Sequence, residues 1–553
     1  MRRLLTAALV FAAFPVAAQM AQSPASAKPL PPLNVDSLRA NLFALAADSM
    51  GGRQTGSLGD WKAQEWVAAE LKAAGWLPAG ENGGYFQVIP FLHIYADTGS
   101  RLGAGSEQWA PGRNLLPLGP AVTHDFANVT TVYGGSIDAP ESWIDSAAAA
   151  GRVVFFSVPD SIQSMRTMFG AFAALRAHAG LNGARALGVA GYDRLAPDLV
   201  PQFLAGSVTA DTSTAPSTAA PRFLVTPRAL QAVFGSNPKV GATGTPVSGA
   251  LRWRREPLQY AARNVVAMLP GSDPALKGEF VSMSAHHDHV GFSGRPVDHD
   301  SVYSYNRVVR PMGADSPQRP PTPAEATRVQ AMRDSLKRAH PARPDSIFNG
   351  ADDDGTGTVG LMAVARSLSA GPHPRRSILI VSHAAEERGL LGSAWFTDHP
   401  TVARDSIVGE VDMDMVGRGN AIDLPKGGPG YLEVVGAKRL STTFGNLLEQ
   451  VNGREPQPFT FNYEFDVPGH PLQYYCRADH YSYARYGIPA VALSRGEHAD
   501  YHQVTDEPQY IDYTVLFRVA TLARDFAVAI ANLDQRPALD SPRQSDPHAP
   551  CRQ

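Results

Sequence analysis

Two stretches near the start of the chain, DSLRANLFALAADSM (36–50) and LGDWKAQEWVAAELKAAGW (58–76), place apolar residues three and four apart. That spacing predicts two amphipathic helices, the second stopped by Gly75 and the Pro78–Gly80 stretch. From Ala262 onward the pattern alternates. EFVSMSAH, RSILIVSHA, VGEVDMDMV, YLEVVG and IPAVALS are short apolar runs bounded by turn or polar residues, which predicts buried strands. TGTVGLMAVARSLSAG, LGSAWFTDH, STTFGNLLEQV, DHYSYARYG and YTVLFRVATLARDFAVAIANL predict helices between and after them. Such alternation predicts an α/β fold: a mostly parallel central sheet with helices on both faces. Its functional site is then expected outside the carboxyl ends of the strands.

The pattern changes between residues 105 and 252. VTTVYGG and RVVFFSVPD look like strands, with a helix-like ALRAHAGLNGARALGV among them and a loop, TADTSTAPSTAAP, expected to be exposed. This predicts a smaller, β-rich α/β domain inserted into the main one, which spans 34–104 and 253–535. Within the main domain, 293–347 is polar and proline-rich and holds one helix-like run, TPAEATRVQAMRDSLKRAH. A loop of that length is expected to be an excursion over the site rim. Residues 536–553 form a tail.

Composition narrows the function. The 553 residues are 44% hydrophobic and 18% charged, with a formal net charge of -3. A globular chain of that size exceeds one core. The charge supplies neither a basic face for nucleic acid nor a polybasic membrane patch. Residues 1–18 have a positive start (Arg2, Arg3), a short apolar run and small residues at Val16 and Ala18, the pattern of a cleavable secretory signal. The run is too short to span a bilayer. A proline-, alanine- and serine-rich leader follows at 19–33. The expected location is therefore the periplasm or the exterior, where Cys476 and Cys551 are permitted a disulfide.

Five motifs carry the candidate chemistry. SAHHDHVG ends a strand and puts His286 and Asp288 on one side, His287 on the other; His289 is ambiguous. Asp288 suits orientation of His286 rather than ligation. NGADDDGTG opens a helix with Asp352, Asp353 and Asp354, more acid than an N-cap requires; spacing alone does not choose among them. SHAAEERGLLGS follows a buried strand and sets Glu386 beside Glu387, a repulsive pair unless a cation lies between them. VDMDMVG places Asp414 at an apolar strand end, costly unless paired or coordinated, with Asp412 as a support. ADYHQVTD offers Tyr501 and His502. A tyrosine hydroxyl there can donate to an oxyanion. Together the groups can bind two cations and leave a base for water, which predicts metal-assisted hydrolysis.

In this order the motifs resemble the co-catalytic zinc aminopeptidase family that includes bacterial leucyl aminopeptidases and glutamate carboxypeptidase. The resemblance covers most of residues 262–530. It implies two zinc ions per chain, with Asp353 bridging, Glu387 and His502 on one ion, and His286 and Asp414 on the other. It implies Glu386 as general base, Asp288 as a supporting acid and Tyr501 as a stabiliser of the tetrahedral intermediate. Asp479 and His480 fall at site-wall positions. Asp352, Asp354 and Asp412 stand where the family often has asparagine. The inserted region resembles a protease-associated domain. The implied function is a secreted aminopeptidase acting on peptide or protein substrates. Its rivals are a carboxypeptidase or dipeptidase of the same family, with Arg418, Arg477 or Arg495 for a terminal carboxylate, a single-zinc glutaminyl cyclase-like transferase, and a receptor-like binding protein.

Overall fold

In the computed structural model, residues 29–553 are described except 120, 163–171, 173, 176–177, 182, 196–198, 211–218 and 318. The expected signal at 1–18, most of the leader and most of the Thr/Ser/Pro loop lie outside them. Nine strands form the main sheet. They are β1 (Leu77–Pro78), β2 (Phe86–Val88), β3 (Arg263–Leu269), β4 (Phe280–His286), β5 (Ser377–His383), β6 (Ile407–Met413), β7 (Tyr431–Val435), β8 (Thr460–Asn462) and β9 (Ala490–Ser494). Helices referred to below are α1 (Val35–Leu45), α2 (Leu58–Ala73), α3 (His299–Val309), α4 (Pro323–Ala339), α5 (Gly357–Ala370), α6 (Leu391–Asp398), α7 (Thr442–Asn452), α8 (His480–Ala484) and α9 (Tyr513–Ala531).

Strand order is β1-β3-β5-β4-β6-β9-β7-β8, with β2 beside β3. The central four, β5, β4, β6 and β9, are mutually parallel. At the flanks β3 runs antiparallel to β5 and β7 antiparallel to β9. The expected α/β sheet is therefore parallel at its centre and mixed at its edges. Alternation along each strand divides two apolar layers. Val265, Ala267, Ile378, Ile380, Val411 and Val491 share one core with residues of α1, α2, α5, α7 and α9. Val266, Leu379, Val381, Ala490 and Ala492 face the other way, onto Phe396 of α6 and Tyr483 of α8. Both faces are covered, which is why these strands read as nearly continuous apolar runs. Helix starts follow local chemistry: Ser57 caps α2, Asp512 caps α9, and Thr322 with Glu325 forms a capping box on α4 behind Pro323.

Among the described residues a second sheet of eight strands lies between Arg101 and Leu251. The helix-like stretch predicted there ends instead as a strand, Ala186–Ala190. All five residues are buried, and Gly188 packs against Phe155 and Phe223, so tertiary packing overrides the alanine-rich local preference. Phe91–Ala96 pairs with Trp253–Pro257 and Ser207–Ala210 in a separate three-stranded sheet.

The excursion at 293–347 holds more order than one helix. Phe292–Asp298 pairs with Pro344–Ile347, and both α3 and α4 lie between them. Its α3 donates from Arg307 to Asp423 and Asp500, and Ala314 beyond it donates to the carbonyl of Tyr501. The polar composition that conceals α3 is thus spent on ion pairs with the site wall. The tail is docked as well. Cys551 forms a disulfide with Cys476, Cα atoms 5.8 Å apart, and Gln553 accepts from the Tyr475 amide.

Candidate metal centre

Because β4, β5 and β6 run parallel, their carboxyl ends meet at one edge. His286 is the last residue of β4, Glu386 and Glu387 follow β5, and Asp414 follows β6. The loop after β9 brings His502, and the turn before α5 brings Asp353. Two clusters result and share Asp353. One is His286, Asp353 and Asp414; the other is His289, Asp353, Glu387 and His502, each with its ligand atoms within 4.8 Å of one another. Asp353 divides its oxygens between them. Its Oδ1 lies 3.2 Å from His286 Nε2, and its Oδ2 lies 3.0 Å from His502 Nε2. Glu387 Oε2 is 3.0 Å from His502 Nε2, and Asp414 Oδ1 is 3.7 Å from His286 Nε2. All five sequence-selected ligand candidates are brought together.

The DDD run separates by partner. Asp352 accepts from the amide of Gly417 and the hydroxyl of Thr356, and its other oxygen lies 3.2 Å from His498. Asp354 accepts from the amides of His286, Gly357 and Met415. Asp353 is left facing the cleft, its own amide donating to Asp506. Asp506 and Asp352 are framework acids that lock the loop.

Glu386 reaches to 3.9 Å from His286 Nε2, on the edge of the Asp414 cluster. Asp288 accepts from the Glu386 amide and the Thr55 hydroxyl, and its carbonyl oxygen contacts His286 Nδ1 at 3.1 Å. Asp288 therefore positions both neighbours. Tyr501 stacks on His502 with centroids 4.1 Å apart, and its oxygen accepts from Arg477. The phenolic proton remains for a further acceptor. His287 points to the opposite face, toward Asp60 and Ser382, as alternation requires. His480 packs edge-on to Tyr475 in the core rather than on the site wall. Asp479 is buried, and its charge acts on Glu386.

Charge is unevenly held. Burial pushes the Glu386 carboxyl well above the usual range, and Glu387, Asp479 and Asp414 push it further. Burial raises Asp414 too. Burial alone would raise Asp353, but His289, His286 and His502 hold it well below the ordinary value. Asp353 Oδ2 and Asp414 Oδ1 are buried without a hydrogen-bond donor. Carboxylates and imidazoles converging with unpaired oxygens, with no lysine or arginine side chain bonded to those carboxylates among the described residues, fit divalent zinc. Backbone strain gathers here: Ala385, Met415 and His502 adopt left-handed φ of 59, 57 and 52°. Each such residue costs roughly 1–3 kcal/mol; Met415 and His502 line the cleft, and Ala385 is buried beside Glu386.

Two functional positions escape sequence reasoning. His289 Nδ1 lies 2.7 Å from Glu387 Oε1. Strict alternation would pair it with His287, but β4 has already ended at His286. Arg53, buried and at φ 47°, donates to the carbonyls of His287, Asn349 and Gly350, tying together the loops that carry His286 and Asp353. Nothing local in MGGRQTG signals that role.

Residues 264–527 match the model of peptidase family M28. Leucine aminopeptidase 1 of Paracoccidioides brasiliensis strain Pb18 is 31% identical over 196 residues, 33% of this chain and 48% of that protein. The chain spans about half the length of the curated relatives it matches. Among solved structures, a zinc aminopeptidase from Bacillus subtilis aligns at 16% identity and TM-score 0.45, over 90% of this chain and 95% of that one. An aminopeptidase from Aneurinibacillus sp. strain AM-1 aligns at 16% identity and TM-score 0.44, over 93% and 98%.

Proposed function

We propose that this chain is a secreted, two-zinc exopeptidase that removes N-terminal residues from peptides. The observation that carries the proposal is the division of Asp353 between two ligand clusters. His286 and Asp414 would hold one zinc, Glu387 and His502 the other, with Asp353 common to both. Zinc held there would supply Lewis acidity and acidify a bound water. The chain's own residues do the rest. Glu386, raised by burial and like charge, is poised to take the proton of the attacking water and return it to the leaving amine. Asp288 fixes the Glu386 backbone and the His286 ring so that the base stays on the attack side. Tyr501 donates its phenolic proton to the carbonyl oxygen as that oxygen gains charge.

Aminopeptidase action is favoured over carboxypeptidase action by the arginines. Arg418 is buried against Asp423 and Asp500. Arg495 donates to the carbonyls of Arg418, Gly419, Gly428 and Tyr431. Only Arg477 of the three lines the cleft, and Asp315 and Glu497 already pair with it. No arginine among them is left for a terminal carboxylate. The disulfide and the leader composition support an extracytoplasmic location. Among the described residues no helix is long and apolar enough to cross a membrane. We assign the sheet between Arg101 and Leu251 to the protease-associated insertion.

The test is Glu386→Gln assayed on peptides with free and with blocked N-termini, with zinc quantified in the same sample. The expected result is two zinc ions retained and turnover lowered by at least about 10³-fold, a loss on the scale of general-base removal. Retained turnover removes Glu386 from the role, and cleavage of blocked peptides rejects the exopeptidase assignment.

A further inference from the structure

The cleft does not end at the metal centre. Its lining passes from Asp414 and Met415 to Glu433, Tyr474 and Glu497. The same last three residues line an adjoining cavity of about 290 Å³. Glu433 is 1% and Glu497 6% exposed. One oxygen of each is engaged: Glu433 Oε1 accepts from the Tyr431 hydroxyl at 2.5 Å, and Glu497 Oε1 lies 3.2 Å from Arg477. The other oxygen of each, Oε2, is buried with no hydrogen-bond donor. Buried acceptors are rarely left so, and each such acceptor calls for a partner.

The nearby cations do not answer that call. Lys426, which lines the second cavity, pairs with Glu464. Arg477 is divided between Asp315, Glu497 and the Tyr501 oxygen. No lysine or arginine forms an ion pair with Glu433 among the described residues. Burial accordingly raises the Glu433 carboxyl to about 7 and that of Glu497 to about 8. Met415, Val435, Ala478 and Ala492 give the cleft that holds these acids an apolar share of its lining, beside Arg477 and Ser494. A partly apolar cleft with unpaired carboxyl oxygens matches a side chain with an aliphatic stem and a cationic head. A leucyl side chain would leave both oxygens desolvated and unpaired.

We propose that Glu433 and Glu497 form the floor of a specificity pocket for a cationic side chain, so that the substrates are peptides beginning with lysine or arginine. This rests on the exopeptidase reading above. The test compares kcat/KM of the zinc-loaded full chain on lysyl, arginyl, leucyl and glutamyl 7-amido-4-methylcoumarins. Lysyl and arginyl substrates are expected to exceed leucyl by about tenfold or more, as for a desolvated charge pair. Glu433→Gln and Glu497→Gln are each expected to lower the lysyl-to-leucyl ratio by about tenfold. A leucyl preference in the unmodified enzyme, or a ratio that neither substitution moves, overturns the pocket and leaves the exopeptidase reading standing. Hydrolysis of none of the four overturns both.

Discussion

Replacing Arg53 tests whether the metal centre is held from behind. Its guanidinium donates to four carbonyls at 2.5–3.3 Å: Leu45, His287, Asn349 and Gly350. A fifth contact, to Asp353, is 3.4 Å. Arg53→Met keeps the length and apolar stem but removes every donor. The Gly350 carbonyl retains the Gly355 amide as a partner. Those of Leu45, His287 and Asn349 lose this donor. An unsatisfied buried acceptor costs about 1–3 kcal/mol, so three give roughly 3–9 kcal/mol, a large share of a typical domain's stability. The loss falls on the loops carrying His286 and Asp353, so zinc affinity should fall with it. Arg53→Lys should rescue little, because a single ammonium cannot span four carbonyls on separate loops. The assay is the urea midpoint of the zinc-loaded and zinc-stripped protein, with zinc per chain measured by elemental analysis. A midpoint shift equivalent to less than about 0.5 kcal/mol in Arg53→Met, the scale of an ordinary surface substitution, with two zinc ions retained, would refute the clamp.

Asp353→Ala should abolish binding of both ions, whereas His289→Ala should weaken only the Glu387/His502 ion, by about 10–100-fold; a two-step zinc titration separates these outcomes, and equal weakening of both sites rejects the role of His289. Cys551→Ser opens a loop of sequence separation 75, which by chain entropy costs roughly 4 kcal/mol; its melting temperature should drop and cease to respond to reductant. Glu433→Gln should raise the melting temperature at pH 8 and much less at pH 5. The Glu433 carboxyl is raised from 4.5 to about 7 in the folded chain, so its stabilising contribution is complete below 4.5 and is lost as pH rises through 7. The difference is about 3 kcal/mol at 1.36 kcal/mol per pKa unit. An equal gain at both pH values would show that the acid is not held against its charge.

Much of the fold is legible because the central strands are buried on both faces. RSILIVSHA and IPAVALS have few polar positions, and that continuity identifies them. The antiparallel strand Arg263–Leu269 lacks a motif at its end, and nothing in its composition announces its reversed direction. Helix α3 is hidden by polar residues that find partners on distant elements, such as Arg307 with Asp423 and Asp500. The ligands are legible as types at strand ends, yet DDD cannot be resolved locally. The donors that fix Asp352 and Asp354 come from Gly417 and Met415, some sixty residues on. His289 stays ambiguous in the sequence because period-two alternation stops where the strand stops. Glu433 is visible only as an acid inside YLEVVG, and its exposure to a cavity depends on β7 pairing with β9.

The same accounting of partners bears on the number of ions. Asp352, Asp354 and Asp506 accept from backbone amides rather than facing the cleft, and Asp352 also lies 3.2 Å from His498. Asp353, Glu386, Glu387 and Asp414 face the cleft. With the histidines neutral, as ligation requires, these four groups would carry up to four negative charges if all were ionised, a charge that two divalent cations would balance. A single ion would leave up to two of those charges on carboxyl groups whose ion pairs, among the described residues, are with histidines, at a desolvation cost of several kcal/mol per charge. The charge count is consistent with the two-ion centre proposed above. Glu386, the one acid of the four outside both ligand clusters, has its proton affinity driven up by burial and by Glu387, Asp479 and Asp414, and burial with Asp353 and Glu387 raises Asp414 as well.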